Sequence, residues 1–451
     1  MTLEHSSLTL EQCRLARLSR DVRFDGQFYV AVKTTRIFCR PICPARLPKE
    51  ENVEYYLQPS QALAHGYRPC LRCRPDSAPN SWAWKGVETT FLRALSILHS
   101  EPLGSVSVAQ LALRLGISER YLRDLFARYL GVAPKKYQLY TQLMFAKHLL
   151  HDSSLSVTDV AYSSGFSSIR RFNDAFLQHF SMAPTQLRRS PTVTSTDNRI
   201  HLKYQGELAW QTMLDFYRRR LLHGVESVGD HYYQRRVMIH GQPASFSLEC
   251  VDQQLQLTFD VHDLNQLQPL LANVRRMFDL DANTQVIEQH LSSIHPELVT
   301  VTGLRIPGVW NGWEAGVRAI FGQQVSLSAA TQLLNQLMEL AHPGGDTFPS
   351  PTQVLAIDVS ALKMPARRQQ TLHHFAHYCQ QHDQLQESEL LALPGIGPWT
   401  LNYIKLRGWS EPDCLLENDL IIKKQLSQLG GIEVKQLSPW GSYANLQLWE
   451  K

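Results

Sequence analysis

Nowhere does the 451-residue chain approach the roughly 20 consecutive apolar residues that a membrane-crossing helix needs, and its polar opening, MTLEHSSLTLEQC, lacks the basic and then apolar stretches of an export signal. Neither a membrane role nor secretion is expected, and the chain is assigned to the cytoplasm. Charge is also scarce: 19% charged against 43% hydrophobic residues excludes a disordered polyelectrolyte and predicts packed cores. At this length about two to four of them are expected. Cysteine is infrequent, eight in all, and Cys13, Cys250, Cys379 and Cys414 stand far apart, which suits a reducing compartment rather than a disulfide framework. Acidic residues are thin in the front of the chain. Residues 1–190 hold 25 Lys+Arg against 15 Asp+Glu, net +10, whereas residues 191–451 hold 20 against 26, net −6. A front part with this balance points to contact with a polyanion.

The remaining four cysteines are crowded. Cys39, Cys43, Cys70 and Cys73 form a C-x3-C pair and a C-x2-C pair with 26 residues between them. Each short pair offers two thiolates from one turn, and four thiolates at about 2.3 Å complete a tetrahedral shell around one Zn2+. A clip that only braces the fold and a reactive cluster share this spacing.

Breaker-rich stretches at Arg72–Ser81 and Arg188–Asn198 read as linkers and divide the chain near residues 80 and 193. Between them two helical hairpins are expected. In the first, Ser107 and Gln110 make a capping box before Val108, Leu111, Ala112 and Leu115, and Gly116 stops the helix. Ser118 then caps a second helix with a buried stripe of Tyr121, Leu122, Leu125, Phe126 and Tyr129 and with Arg120, Arg123 and Arg128 opposite. The scheme repeats with Val157, Val160 and Ala161, a Gly165 turn, and Ile169, Phe172, Phe176 and Phe180, leaving Arg170, Arg171 and Asn173 on the free face. Two short helices with a basic outer face on the second can enter a major groove.

Alternating segments at Arg236–His240 and Leu255–Val261 predict strands of an α+β unit from about 199 to 300, and from Trp313 the pattern becomes helical. Near the end, LPGIGPWT places Gly395 and Gly397 in a tight hairpin that can bring main-chain N–H groups to a phosphate oxygen or can simply turn a corner. Twenty residues beyond Trp399, Asp419 precedes an apolar helix, where it can cap the N-terminus or face a cleft.

Three resemblances follow from these residues. Residues 11–76, through DGQFYVAVKTTRIFCRPIC and HGYRPCLRCRPD, resemble the zinc-binding, methyl-accepting domain of the Ada family. The resemblance implies that Cys39 is the methyl acceptor as well as a zinc ligand, with Cys43, Cys70 and Cys73 holding the metal. Residues 107–189 look like an AraC-type double helix-turn-helix, with A-x-x-x-G-F at Ala161–Phe166, and with Ser181 and Leu187 in place of the usual glycine and aromatic. Residues 199–449 resemble an AlkA-type alkyladenine DNA glycosylase through LPGIGPWT, Asp419 and SYANLQLW. That implies Asp419 as catalytic carboxylate, Trp399, Tyr403 and Trp449 around the base pocket, and Gly395 and Gly397 gripping phosphate. It also implies that Gln323 and Gln324 contact DNA, Gln324 standing at the family's leucine wedge and Asn418 where the relative has a second Asp.

The expected fold is multi-domain, mostly α with α+β: a small zinc α/β domain at 1–80, a double helix-turn-helix at 81–192, an α+β subdomain at 193–305 and a helix-hairpin-helix glycosylase domain at 306–451. The implied partner is double-stranded DNA, alkylated DNA and promoter DNA, contacted by Arg120, Arg123, Arg170 and Arg171, with RNA polymerase as a further partner and a nucleoid location. The implied function is hydrolytic excision of alkylated bases such as 3-methyladenine, joined to methyl acceptance from phosphotriesters on Cys39 and to transcription regulation. Pro398-Trp399-Thr400 carries no lysine, so a monofunctional glycosylase is expected. The alternative is a methylation-activated regulator whose rear half binds damaged DNA without turnover.

Overall fold

The computed structural model describes residues 8–21, 24–57, 59–70, 72–73, 75, 82–188, 198–382, 385–417, 419–430 and 432–450. Most of both expected linkers, and Asn418, lie outside the described residues. The chain forms two compact units, one of residues 1–101 and 106–138, the other of 102–105 and 139–451.

In the first unit, α1 (Leu10–Ser19) starts from a Thr9–Gln12 capping box and buries Cys13 and Ala16. Strands β1 (Tyr29–Val32), β2 (Ile37–Cys39) and β3 (Val53–Tyr56), helix α2 (Pro59–Ala64) and strand β4 (Arg68–Pro69) follow. The sheet order is β3-β1-β2-β4, with β2 and β4 parallel. Phe38 is paired with Pro69 and the Cys70 N–H donates to the Phe38 carbonyl at 2.9 Å, so the two distant cysteine pairs leave the sheet side by side. Helices α3 (Trp82–Ser100), α4 (Val108–Leu115) and α5 (Glu119–Leu130) share a core of Phe91, Ala94, Leu98, Leu111, Leu122, Leu125 and Phe126. The Ser107–Gln110 box, the left-handed Gly116 at φ 67° and the Ser118 cap all form as the residue pattern predicts. Tyr121 does not. It is 37% exposed, because Leu122, Leu125 and Phe126 already fill the buried stripe and one helix step turns Tyr121 about 100° aside.

The long helix α6 (Pro134–Asp152) spans the division between the units at residues 138 and 139. In the second unit, α7 (Val157–Ser163), α8 (Ile169–Phe180) and α9 (Pro184–Leu187) complete the second hairpin. Ser181 ends α8 in the left-handed conformation, φ 56°, where glycine is the favoured residue. Ser181→Gly is accordingly expected to stabilise the second unit by about 0.5–1 kcal/mol in urea unfolding, and an unchanged midpoint would contradict the strain.

This hairpin does not stand alone. Leu149, Val160, Phe172 and Phe176 belong to one core with Ile200, Tyr233, Leu257 and Phe278 of the following α+β region. Lys203 Nζ lies 2.8 Å from the Asp152 carboxylate, and the Ser154 N–H donates to the Arg199 carbonyl at 3.4 Å.

That region comprises β5 (Arg199–Leu202), α10 (Trp210–Arg218), β6 (Glu226–Val228), β7 (Tyr232–Ile239), β8 (Gln242–Val251), β9 (Gln254–Val261), α11 (Leu267–Met277) and α12 (Thr284–Ile294). The antiparallel order is β5-β9-β8-β7-β6, and alternate β7 residues Tyr233, Arg235, Val237 and Ile239 face the core.

A helical region follows: α13 (Gly312–Gly322), α14 (Leu327–Ala341), α15 (Pro351–Leu355), α16 (Ala366–Gln381), α17 (Glu387–Ala392), α18 (Pro398–Ile404), α19 (Leu420–Leu429) and α20 (Gly441–Trp449). Sheet and helices are joined by a buried ion cluster in which Arg235 meets Glu226 at 2.7 Å and Glu314 at 2.5 Å, and Arg318 meets Glu314 at 2.9 Å. Burial raises the Glu314 carboxyl, but Arg235 and Arg318 outweigh it and hold the group down at about 2. Removing any one of these groups would leave a buried charge unmatched, which is costly.

Candidate functional sites

The sulfur atoms of Cys39, Cys43, Cys70 and Cys73 all lie within 4.8 Å of one another. A tetrahedral shell with bonds of about 2.3 Å needs sulfurs about 3.8 Å apart, so small side-chain adjustments close it. Cys43 and Cys73 are buried, whereas Cys39 and Cys70 are half-buried. The Cys39 thiol donates to Cys73 and, with the main-chain N–H of Arg40 at 3.3 Å, overcomes burial to hold the Cys73 thiol down at about 6. The same bond, together with burial, pushes Cys39 up. Four sulfurs that share protons in this way are packed for a single cation. Arg40 is itself anchored by Asp25, with Nε 2.8 Å from Oδ1, and by the Cys73 carbonyl at 3.3 Å.

In the second unit a cleft of about 800 Å³ is lined by Gly322, Gln323, Gln324, Val325, Pro365, Arg367, Arg368, Thr371, Gly395, Gly397, Trp399, Thr400, Asp419, Leu420 and Ile421. It therefore gathers six of the residues singled out from the sequence. Asp419 is half-buried and does both things open to it: it lines the cleft and caps α19, Oδ1 accepting the N–H groups of Ile421 at 2.9 Å and Ile422 at 3.3 Å. Oδ2 accepts no hydrogen bond from any described residue. Gln323 ties the α13–α14 turn to the hairpin by donating to the Gly395 carbonyl at 3.2 Å and Thr400 Oγ1 at 3.0 Å. Gln324 sits exposed at the tip of that turn with φ 56°.

Gly395 has φ +86°, and a Cβ there would fall 1.9 Å from Thr371 Oγ1. Gly395→Ala is expected to cost the second unit about 1–3 kcal/mol in calorimetric unfolding, and unchanged unfolding would contradict this packing. Gly397 has free space around it and caps α18 instead.

Trp399 stacks on Tyr403, ring centres 5.6 Å apart at 30°, and Arg407 donates to the Tyr403 hydroxyl at 3.2 Å while lying 4.6 Å over the ring of Phe216. Neither Tyr403 nor Trp449 lines the cleft. Trp449 packs, half-buried, on the same core as Trp399, with Ile422 and Leu446. The pattern of residues did not single out Arg367, Arg368, Leu420 or Ile421. An Arg-Arg pair two residues after Pro365 was the available signal for the first two; for the others only folded exposure identifies them. On the helical hairpins, Arg120, Arg123, Arg170 and Arg171 are all exposed; Arg123 pairs with Glu119 at 2.6 Å, and Arg170 reaches Asp174 at 3.9 Å.

Comparison with known proteins agrees with this layout. Residues 12–76 match the metal binding domain of Ada, residues 111–190 a helix-turn-helix domain, and residues 199–311 the AlkA N-terminal domain. A protein of Mycobacterium tuberculosis named "Probable bifunctional transcriptional activator/DNA repair enzyme AlkA" is 31% identical over 97% of this chain and 96% of its own. DNA-3-methyladenine glycosylase 2 of Escherichia coli is 32% identical over 55% of this chain and 95% of its own. The bifunctional transcriptional activator/DNA repair enzyme Ada of Escherichia coli is 40% identical over 29% of this chain and 36% of its own. The four-cysteine cluster is accordingly a zinc site for one Zn2+. The chain belongs to the family of fused transcriptional activator/DNA repair enzymes, in which an Ada-type zinc domain and helix-turn-helix precede an AlkA-type glycosylase.

Proposed function

We propose that the second unit hydrolyses the N-glycosidic bond of alkylated bases such as 3-methyladenine in double-stranded DNA, with Asp419 as the carboxylate. The observation that carries this reading is the placement of Asp419: among the described residues no donor reaches its Oδ2, and it lines a cleft that also holds the glycine hairpin and Trp399. As the bond from C1′ to the base breaks, the electron pair leaves with the base and positive charge spreads over the sugar. A carboxylate facing that sugar stabilises the charge without rearranging. Water then supplies hydroxide to C1′ and a proton to the departing base. The target must first leave the stack, which costs a few kcal/mol and least for a damaged base. Trp399, stacked on Tyr403, offers it an aromatic face.

Cleavage of the strand would need an amine at the hairpin. The first lysine after Trp399, Lys405, is paired with Glu387 at 2.9 Å. The full chain incubated with methylated duplex should therefore release several equivalents of free 3-methyladenine per protein and leave the strand intact until alkali treatment. Binding to abasic duplex with no base released would establish the alternative, a regulator without turnover.

For the first unit the proposed reaction is methyl transfer from a DNA phosphotriester to Cys39, forming an S–C bond and breaking C–O, with the phosphodiester leaving as its anion. When bound, zinc keeps the four sulfurs as thiolates at neutral pH. Cys39 is the sulfur proposed to react through the resemblance of its segment to the Ada domain; it ends β2 and, like Cys70, is only half-buried, so solvent can reach it. Its alkylation leaves the cluster with one negative charge fewer, easing the approach of Arg120, Arg123, Arg170 and Arg171 to DNA. In this scheme the chromosome is the site of action, and RNA polymerase is the partner that reads the tightened complex.

A further inference from the structure

Leu420 follows Asp419 directly and is 84% exposed, more than any other large hydrophobic side chain among the described residues. Its orientation is not loose. The Asp419 cap and the fully buried Ile422 fix the first turn of α19, and this turn holds Leu420 and the 53%-exposed Ile421 on the wall of the cleft. On another part of the same wall, the tip expected to wedge into DNA carries a polar side chain, Gln324, in the left-handed region. An amide suits the hydrogen-bonding edge of an unpaired base. It is a poor filler for a gap between stacked, apolar base faces, where an aliphatic side chain gains by losing water.

We propose that Leu420 is a positioning residue that packs into the base stack beside the everted nucleotide, while Gln324 meets the orphaned partner base. The occupant of this apolar surface is thus duplex DNA with one nucleotide turned out. Continuity with the cleft that holds Asp419 selects it, and the inference rests on the glycosylase reading only in taking that cleft to be the DNA site. Leu420 and Asp419 being adjacent, insertion and charge stabilisation are coupled by one turn of helix: a nucleotide leaves the stack as Leu420 enters it, and the freed sugar meets the neighbouring carboxylate.

The test uses the full chain and a duplex containing a tetrahydrofuran abasic analogue with 2-aminopurine beside it, compared with the undamaged duplex so that binding through the helix-turn-helix elements cancels. Leu420→Ser should lower the preference for the abasic duplex about tenfold and abolish the rise in 2-aminopurine fluorescence, whereas Leu420→Met should keep both. Preference within about twofold of wild type, with fluorescence intact, would overturn the proposal. So would a wild-type protein that shows no preference for the abasic duplex. Because neither measurement needs base release, a protein that unstacks the probe yet frees no base would uphold the insertion while removing the catalytic assignment.

Discussion

Asp419→Asn is expected to lower the single-turnover rate of 3-methyladenine release by at least about 100-fold while leaving the fold and abasic-duplex binding intact. Asparagine is as good a helix cap as aspartate, so the bonds from Ile421 and Ile422 to the side-chain oxygen survive the exchange and α19 keeps its first turn. What is lost is the negative charge of a side chain that lines the cleft. The transition state for glycosidic cleavage carries charge on the sugar that the ground state of the DNA lacks, so the effect falls on the rate rather than on affinity. Release by the variant at the wild-type rate would exclude this carboxylate. A loss of abasic binding equal to the loss of rate would instead reassign it to recognition. Asp419→Ala makes a useful comparison, since it removes charge and cap together and should add about 1 kcal/mol of instability to the same catalytic loss.

Local chemistry was legible in the sequence wherever a few adjacent residues decide the outcome. The Ser107–Gln110 box, the Ser118 cap and the Gly116 stop need only their own backbone, and they form as expected. The cysteine cluster was legible for a similar reason: two short pairs of this spacing have few uses, and the parallel pairing of β2 with β4 only brings them together. Tyr121 was misplaced because a helical stripe has edges, and only the packed core decides which edge is wet.

Contacts across long separations left no such mark. The second helical hairpin shares its core with the sheet through residues on either side of a breaker-rich stretch, where composition alone suggests independence. Nor does any short pattern show that the turn at Gln324, the Arg367–Arg368 pair on α16 and the first turn of α19 would enclose one cleft with the glycine hairpin. Leu420 is the clearest instance: an aliphatic residue opening an amphipathic helix reads as core, and its exposure follows only from how Ile422 and Asp419 orient the turn.

The second large effect belongs to the sulfur cluster. After exposure to DNA bearing methyl phosphotriesters, intact-mass and peptide analysis should find one added methyl per chain, on Cys39; a methyl on Cys43, Cys70 or Cys73 would overturn the assignment. Cys39→Ala should accept none yet still retain zinc on three sulfurs, because Cys39 is only half-buried and the Cys43, Cys70 and Cys73 side chains are untouched. Cys73→Ala should behave differently. Cys73 is buried, accepts the Arg40 N–H, and through its carbonyl helps hold Arg40 against Asp25, so its loss removes a zinc ligand and an anchor of the local chain together. Zinc sites of this kind bind with an apparent free energy of about 10–16 kcal/mol, as large as the whole stability of a small domain. Cys73→Ala, or a strong chelator acting on the wild type, should thus unfold the zinc domain and make residues 8–73 sensitive to protease, while the calorimetric transition of the second unit stays in place. Salt titration of promoter binding before and after methylation then separates repair from regulation. If the loss of one negative charge strengthens binding, the gain will be largest at low salt and will be missing in Cys39→Ala. A methylated protein whose DNA affinity is unchanged at every salt concentration would leave Cys39 a repair acceptor with no part in regulation.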